Sequence, residues 1–429
     1  MASPGASGGT SPHRAEVAHV DTDPSERTDD TDSTTDADCV GSTTPPDESV
    51  FRGDRDRARI AVEQGDPLSG ANGFAGLLER PDDPDAGQAL VRDVLGREPL
   101  FLERDAPTDE LPSSDDWAVD PTTLDAPEPF PAGSIQDADG RRQRLRLPRN
   151  SGVGDVGGTA AAVPGTEVDE LRTAIDDALA ALDPETPVAF SGGVDSGLVA
   201  TGTDGPLYVA GFPDSHDLEA ARDAEIAMDR ELHEIELTHD ELRRAVREVA
   251  VATGRTNPMD VSIAVPLFLV AERVAADGHE TLAVGQGADE LFGGYAKVAK
   301  AAGDHRVDAD SVTAARDEVL QTLPEQLPRD VLAIRAAGVE PVAPLLDDAV
   351  VRAALALPEA LLVRDEERKV ALRRVATDRL PDSVANRDKK ALQYGSLVSR
   401  ELDRLARQNG YKRRMDDHVG KYVRELVEE

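Results

Sequence analysis

Apolar positions are sparse and without period at the start of this chain, and they become regular only from about Asn72 onward. Residues 1–68 are rich in Ser, Thr, Asp, Pro and Gly. Such a stretch buries too little apolar surface to offset the entropy of ordering, so the sequence predicts a disordered acidic segment. Phe74, Leu77 and Leu78 open an ordered region. The run 89–95, a break at Gly96, and the run 100–102 behind Pro99 predict strand, turn and strand. Residues 116–120 around Trp117 and 130–135 extend this β-rich region, which we take as 69–150. Residues 141–166 turn basic and then Gly-rich, as in a linker, with Arg141, Arg142, Arg144, Arg146 and Arg149 on a solvated strand.

The pattern then changes period. Leu171, Ile175, Leu179 and Leu182 repeat at helical spacing and stop before Pro184. Short apolar runs at 188–190, 207–212, 233–237 and 281–284 alternate with helical stretches at 217–230, 239–253 and 260–277. That alternation predicts an α/β domain over 151–400, a parallel sheet with helices on both faces. Ligands of such sheets bind outside the carboxyl ends of the strands. Leu402, Leu405, Val419, Tyr422, Val423 and Leu426 predict a C-terminal helix within 401–429, either packed on the domain or forming a dimer contact.

Two loops at those strand ends carry the candidate chemistry. The first is Ser191-Gly192-Gly193-Val194-Asp195-Ser196-Gly197. Adjacent glycines let backbone N–H groups approach an anion closely, and a helix follows. An ordinary βα turn would explain the glycines but not the two serines and Asp195. A carboxylate beside phosphates makes sense with a bridging Mg²⁺. The second loop is Gly285-Gln286-Gly287-Ala288-Asp289-Glu290-Leu291-Phe292-Gly293-Gly294-Tyr295. Asp289 would supply a second carboxylate to the same ion. Countering a helix dipole would also account for Asp289 and Glu290, but not for the Gly-Gly-Tyr.

The first loop lacks the Gly-Lys-Ser/Thr of a P-loop and resembles the pyrophosphate loop of ATP pyrophosphatases. Together the two loops resemble the asparagine synthetase family. The resemblance extends to His216-Asp217, to 338–347, to Lys369 and Arg373 with Leu380-Pro381, and to Arg387-Asp388-Lys389-Lys390. It implies an adenine nucleotide alpha hydrolase-like fold that uses ATP and Mg²⁺. A substrate carboxylate, aspartate by default, attacks the α-phosphorus; ammonia then converts the acyl-adenylate to an amide and AMP. On this resemblance Ser191, Gly192, Gly193 and Ser196 hold pyrophosphate, Asp195 and Asp289 hold Mg²⁺, and Gly287 lies beside them. The strand with Val209 and Gly211 lies along adenine. Lys389, and next Lys369, stabilise charge at the α-phosphate. Two positions depart from the family. Gln286 stands where many members have a carboxylate that helps deprotonate the amine, and glutamine cannot act as a base. Val342 replaces an arginine.

Residues 72–140 resemble the second half of a class II glutaminase domain, which uses an N-terminal cysteine. Here Ala2 occupies that place and Cys39 is the only thiol. The expectation is a degenerate module that covers the next domain and does not hydrolyse glutamine, with ammonia arriving free or from a separate glutaminase.

Composition narrows the partners. The formal charge is −37, and the Lys+Arg total of 47 contains only seven lysines. Acidic, lysine-poor composition resembles haloarchaeal proteins and argues against nucleic acid. No apolar stretch suits a membrane span or signal core, which predicts a cytoplasmic protein without a membrane partner. Two alternatives stay open: a ligase of the same mechanism for another carboxylate, and an ATP-binding regulatory pseudo-enzyme. A homodimer is compatible with either.

Overall fold

The computed structural model describes residues 51–79, 87–148, 165–301, 311–365, 367–387 and 395–428. Its first part is antiparallel. Strands β1 (Phe51–Arg52), β2 (Ala75–Glu79), β3 (Gln88–Arg92), β7 (Ser134–Asp137) and β8 (Gly140–Gln143) form one sheet in the order β1-β2-β3-β7-β8. Strands β4 (Phe101–Glu103), β5 (Trp117–Ala118) and β6 (Pro127–Pro129) form a smaller one in the order β5-β4-β6. Ala75, Leu90, Leu100, Leu102, Trp117 and Phe130 make a separate buried cluster here.

One expectation is corrected in this region. Disorder was expected up to residue 68, yet β1 and the helix α1 (Arg55–Gln64) lie within that span. Asp54 caps α1 by accepting from the N–H groups of Asp56 and Arg57. The helix buries only Ala58, Ala61 and Val62. Three small residues at helical spacing among charges give a weak periodic signal, and that is why the sequence pattern missed it. Residues 1–50 lie outside the described residues.

From α2 (Thr166–Ala180) the architecture becomes α/β. Strands β9 (Val188–Ala189), β10 (Leu207–Gly211), β11 (Leu232–Glu236), β12 (Thr281–Ala283) and β13 (Glu340–Val342) form a five-stranded parallel sheet in the order β11-β10-β9-β12-β13. Helices α3 (Val194–Ala200), α4 (His216–Met228), α5 (His239–Thr253), α6 (Pro258–Ala276) and α7 (Ala288–Leu291) flank it. Their limits are written locally: Ser215 caps α4, Thr238 and Glu241 close a capping box on α5, and Gly254 ends α5 in the left-handed region. Two apolar clusters result. One contains Val188, Val209, Leu198 and Ala283; the other contains Tyr208, Val246, Phe268 and Leu282. The order reverses about β9, which puts the loops after β9 and β12 side by side at the carboxyl edge.

The C-terminal segment also differs from expectation. It forms two helices, Val398–Gln408 and His418–Glu428, rather than one. Gly410, at φ 92, breaks the chain between them. Their apolar faces (Leu402, Leu405, Tyr422, Val423, Leu426) join the cluster with α5 and α6.

The antiparallel module is locked to the α/β domain by buried charge. Arg97 donates to Asp93 Oδ1 (3.0 Å), Asp348 Oδ1 (2.7 Å) and the carbonyl of Leu346 (2.7 Å). Burial opposes the arginine's charge, but the two carboxylates outweigh it and raise its pKa. Asn72 Nδ2 donates to Asp347 Oδ2 at 2.6 Å, and Asn72 Oδ1 accepts from the N–H of Asp348 at 2.9 Å. Arg92, also buried, donates to the carbonyls of Glu98, Gly96, Phe130 and Pro324. Removing one partner of a buried ion pair leaves the other charge uncompensated. Arg97→Leu should therefore cost about 3 kcal/mol or more, read as a lowered denaturation midpoint. An unchanged midpoint would show that the module is not held by this contact.

Candidate functional site

The loop after β9 and the loop after β12 meet through one side chain that neither contains. Lys369 precedes the helix Val370–Thr377, and its Nζ lies 2.7 Å from both carboxylate oxygens of Asp195 and 2.6 Å from Asp289 Oδ1. The lysine and Asp195 are buried. Burial would push the lysine pKa down, but Asp195 and then Asp289 outweigh it and hold it above its ordinary value. The backbone of Lys369 sits in the left-handed region at φ 60, an unfavourable place for a residue with a Cβ. The double contact gives a reason for that conformation to persist.

Backbone geometry prepares the two loops. Gly192 has φ 69, and a Cβ there would collide with the Ala220 carbonyl. At Gly294 a Cβ would run into the Asp289 carboxylate and Lys369. Ser191 N–H donates to Ser196 Oγ at 3.1 Å, and the two serine hydroxyls lie 3.3 Å apart. Gly193 and Gly287 precede α3 and α7 and carry no side chain with which to cap the first N–H groups there.

A cavity of about 470 Å³ opens over these loops. Its walls include Ser191, Asp195, Ser196, Val209, Gln286, Gly287, Asp289 and Lys369. Gly192 and Gly193 shape the loop but do not line the cavity. Gly211 does not reach it either: a Cβ there would meet Ser215 Oγ, so its role is close packing of β10 on α4. Lys389 lies outside the described residues. Val342, the position of the missing arginine, faces a second cavity and not this one.

The same cavity holds groups that sequence reasoning did not place in the site. Tyr295 donates its hydroxyl to Glu290 Oε1 at 2.6 Å. Burial, ahead of other causes, raises the pKa of both. Arg368 Nη1 donates to the Gly294 carbonyl at 2.6 Å. Arg329 donates to Asp330 Oδ1 (2.7 Å) and Asp260 Oδ1 (2.9 Å). One signal did exist for Asp330. On the helix Leu323–Ala336 it falls in line with Leu323, Leu327 and Ile334, so a carboxylate stands on the apolar face.

Asp195 and Asp289 offer two convergent hard oxygens suited to Mg²⁺. Two protein oxygens fall short of an octahedral shell, so a bound ion would also need ligand or water oxygens. Among the described residues, no group of three or more His, Cys, Asp or Glu forms a metal cage. No described helix is long and apolar enough to cross a membrane.

The asparagine synthase family model matches residues 169–329 and 314–428, more than half of the chain, and the chain belongs to that family. A Methanocaldococcus jannaschii protein, provisionally named a glutamine-hydrolysing asparagine synthetase, is 29% identical over 282 residues, covering 56% of this chain and 51% of that protein. Escherichia coli asparagine synthetase B (glutamine-hydrolysing) is 27% identical over 355 residues, covering 77% and 62%. The nodule asparagine synthetase of Pisum sativum is 26% identical over 263 residues, covering 55% and 44%. The chain thus spans about half the length of these relatives.

Lys369→Met tests the ionic link. It leaves two carboxylates facing each other, one of them buried, and should lower stability by about 3 kcal/mol. The loss should persist in molar KCl, because buried pairs are weakly screened. A loss abolished by salt would mean that the contact is solvent-exposed.

Proposed function

We propose that this chain is an ATP-dependent, asparagine synthetase-like ligase that adenylates a carboxylate, releases pyrophosphate, and forms an amide and AMP. The observation that carries the reading is the single ammonium of Lys369 between Asp195 and Asp289, within a cavity lined by both serines of the glycine loop. Ser191, Ser196 and the backbone at Gly192 and Gly193 would hold pyrophosphate. Asp195 and Asp289 would hold Mg²⁺, which when bound neutralises phosphate charge. Lys369 would shift its contact from the carboxylates toward the phosphate oxygens, and Lys389 is expected to approach the α-phosphate. Val209 would lie along the adenine. Aspartate is the default substrate.

Ammonia would come free or from a separate glutaminase. The antiparallel module would serve as a cover, through the contacts of Arg97 and Asn72 with 346–348. The acidic surface suits a cytoplasm rich in salt. A second reading keeps the mechanism and changes the acid, favoured by Gln286 and by Val342 in place of family charges. The regulatory reading is disfavoured by the Asp195–Lys369–Asp289 link, since a chain that only bound nucleotide would have no need to retain all three.

ATP–pyrophosphate exchange in molar KCl with Mg²⁺ tests this. The expected result is exchange dependent on aspartate, with asparagine formed from ammonium and not from glutamine. Exchange with a different acid alone moves the substrate. No exchange with any acid, in folded protein that binds ATP, contradicts adenylation.

A further inference from the structure

A second cavity, of about 240 Å³, lies behind the first. The two share Val284, Gln286, Leu327 and Asp330 as a common wall. Its far side is closed partly by the antiparallel module, through Asn72, Arg97 and Glu98. The rest is largely apolar, with Ala178, Leu182, Val331, Ile334 and Val342.

Its charges favour a cation. The positive Arg97 is already engaged by Asp93 and Asp348. Glu98 pairs with Arg335, which also serves Glu340, and Glu98 Oε2 is buried without a well-formed hydrogen bond. Asp330 is 7% exposed. Its Oδ1 accepts from Arg329 Nε, and its other oxygen accepts nothing among the described residues. This carboxylate therefore stands in the partition between the cavities, oriented by a guanidinium and with one oxygen to spare. It shares that partition with Gln286, a side chain that cannot take a proton.

We infer that the second cavity binds the amine that attacks the activated acid, that Asp330 receives the amine's proton, and that the site accepts a primary amine with a small apolar substituent as well as ammonia. The inference rests on the adenylation reading above. A water-sized molecule needs about 30 Å³, so the cavity is several times larger than ammonia requires. Each methylene placed against the apolar wall should tighten binding about fourfold. In the step itself an R–NH₃⁺ first gives a proton to solvent. The nitrogen lone pair then forms a C–N bond with the acyl carbon. The acyl C–O bond to the phosphate breaks, and AMP leaves with the electron pair. The second proton passes from nitrogen to Asp330 and on to water, and the amide remains.

The test uses the full chain, ATP, Mg²⁺ and the acid that supports exchange. Amide products from ammonium, methylamine and propylamine are quantified by mass spectrometry, alongside ATP–pyrophosphate exchange. Propylamide should form with a kcat/KM at least equal to that for ammonium. Asp330→Asn should lower amide formation from every amine about 100-fold more than it lowers exchange, the usual scale of a lost proton acceptor. Asp330→Glu should restore part of the loss. Should Asp330→Asn fail to fold, Val331→Phe, which fills the cavity, should raise the KM for propylamine at least tenfold relative to ammonium. Ammonium as the sole nucleophile, or amide formation in Asp330→Asn that falls only as far as exchange, would overturn the inference while leaving adenylation intact. Absence of exchange in the unaltered chain would overturn both.

Discussion

One ammonium nitrogen in contact with two carboxylates sets the geometry on which the rest of the site depends. Asp195 lies in the first turn of α3, after β9, Asp289 in the first turn of α7, after β12, and Lys369 in a segment far along the chain. Each is unfavourable alone: a carboxylate and an ammonium out of water, and a lysine at φ 60. Together they compensate one another and fix the separation of two loops that would otherwise repel. The arrangement is also a store of opposite charge. A ligand that brings its own phosphate charge and a divalent ion could redistribute these partners without leaving any of them bare.

The sheet explains why the two loops can meet. The strand order reverses about β9, so β10 and β12 lie on either side of it and their connections run to opposite faces. Glycine does the fine positioning. At Gly192 and Gly294 a side chain would displace the backbone of α4 or the Asp289 carboxylate itself. The antiparallel module adds a second constraint. The turn between β3 and β4 sends Arg97 into the segment that follows β13, and that same turn forms one wall of the second cavity. A change in how the module docks would alter that cavity directly.

Much of this was legible in the chain. Short apolar runs marked β9 to β12 and period-3.6 runs marked the helices between them closely, because these strands lie under helices and the helix caps are local. The loops were legible because Gly-Gly and paired Asp have few other uses at a strand end. What was not legible depends on distant parts of the fold. Lys369 could be singled out as a rare lysine, but its contact with both carboxylates needs three-dimensional closure. Helix α1 hid because its buried face is Ala58, Ala61 and Val62. Asp330 hid in an otherwise regular helix, where one charged residue on an apolar stripe reads as noise until the cavity beside it is known.

The central claim is that a carboxylate oxygen of the substrate attacks the α-phosphorus at this site. Turnover with an acid labelled with ¹⁸O in the reacting carboxylate tests it most directly. The account predicts one ¹⁸O in the AMP released and none in pyrophosphate. Label in inorganic phosphate, with ADP as the nucleotide product, would mean attack at the γ-phosphorus and would contradict the account.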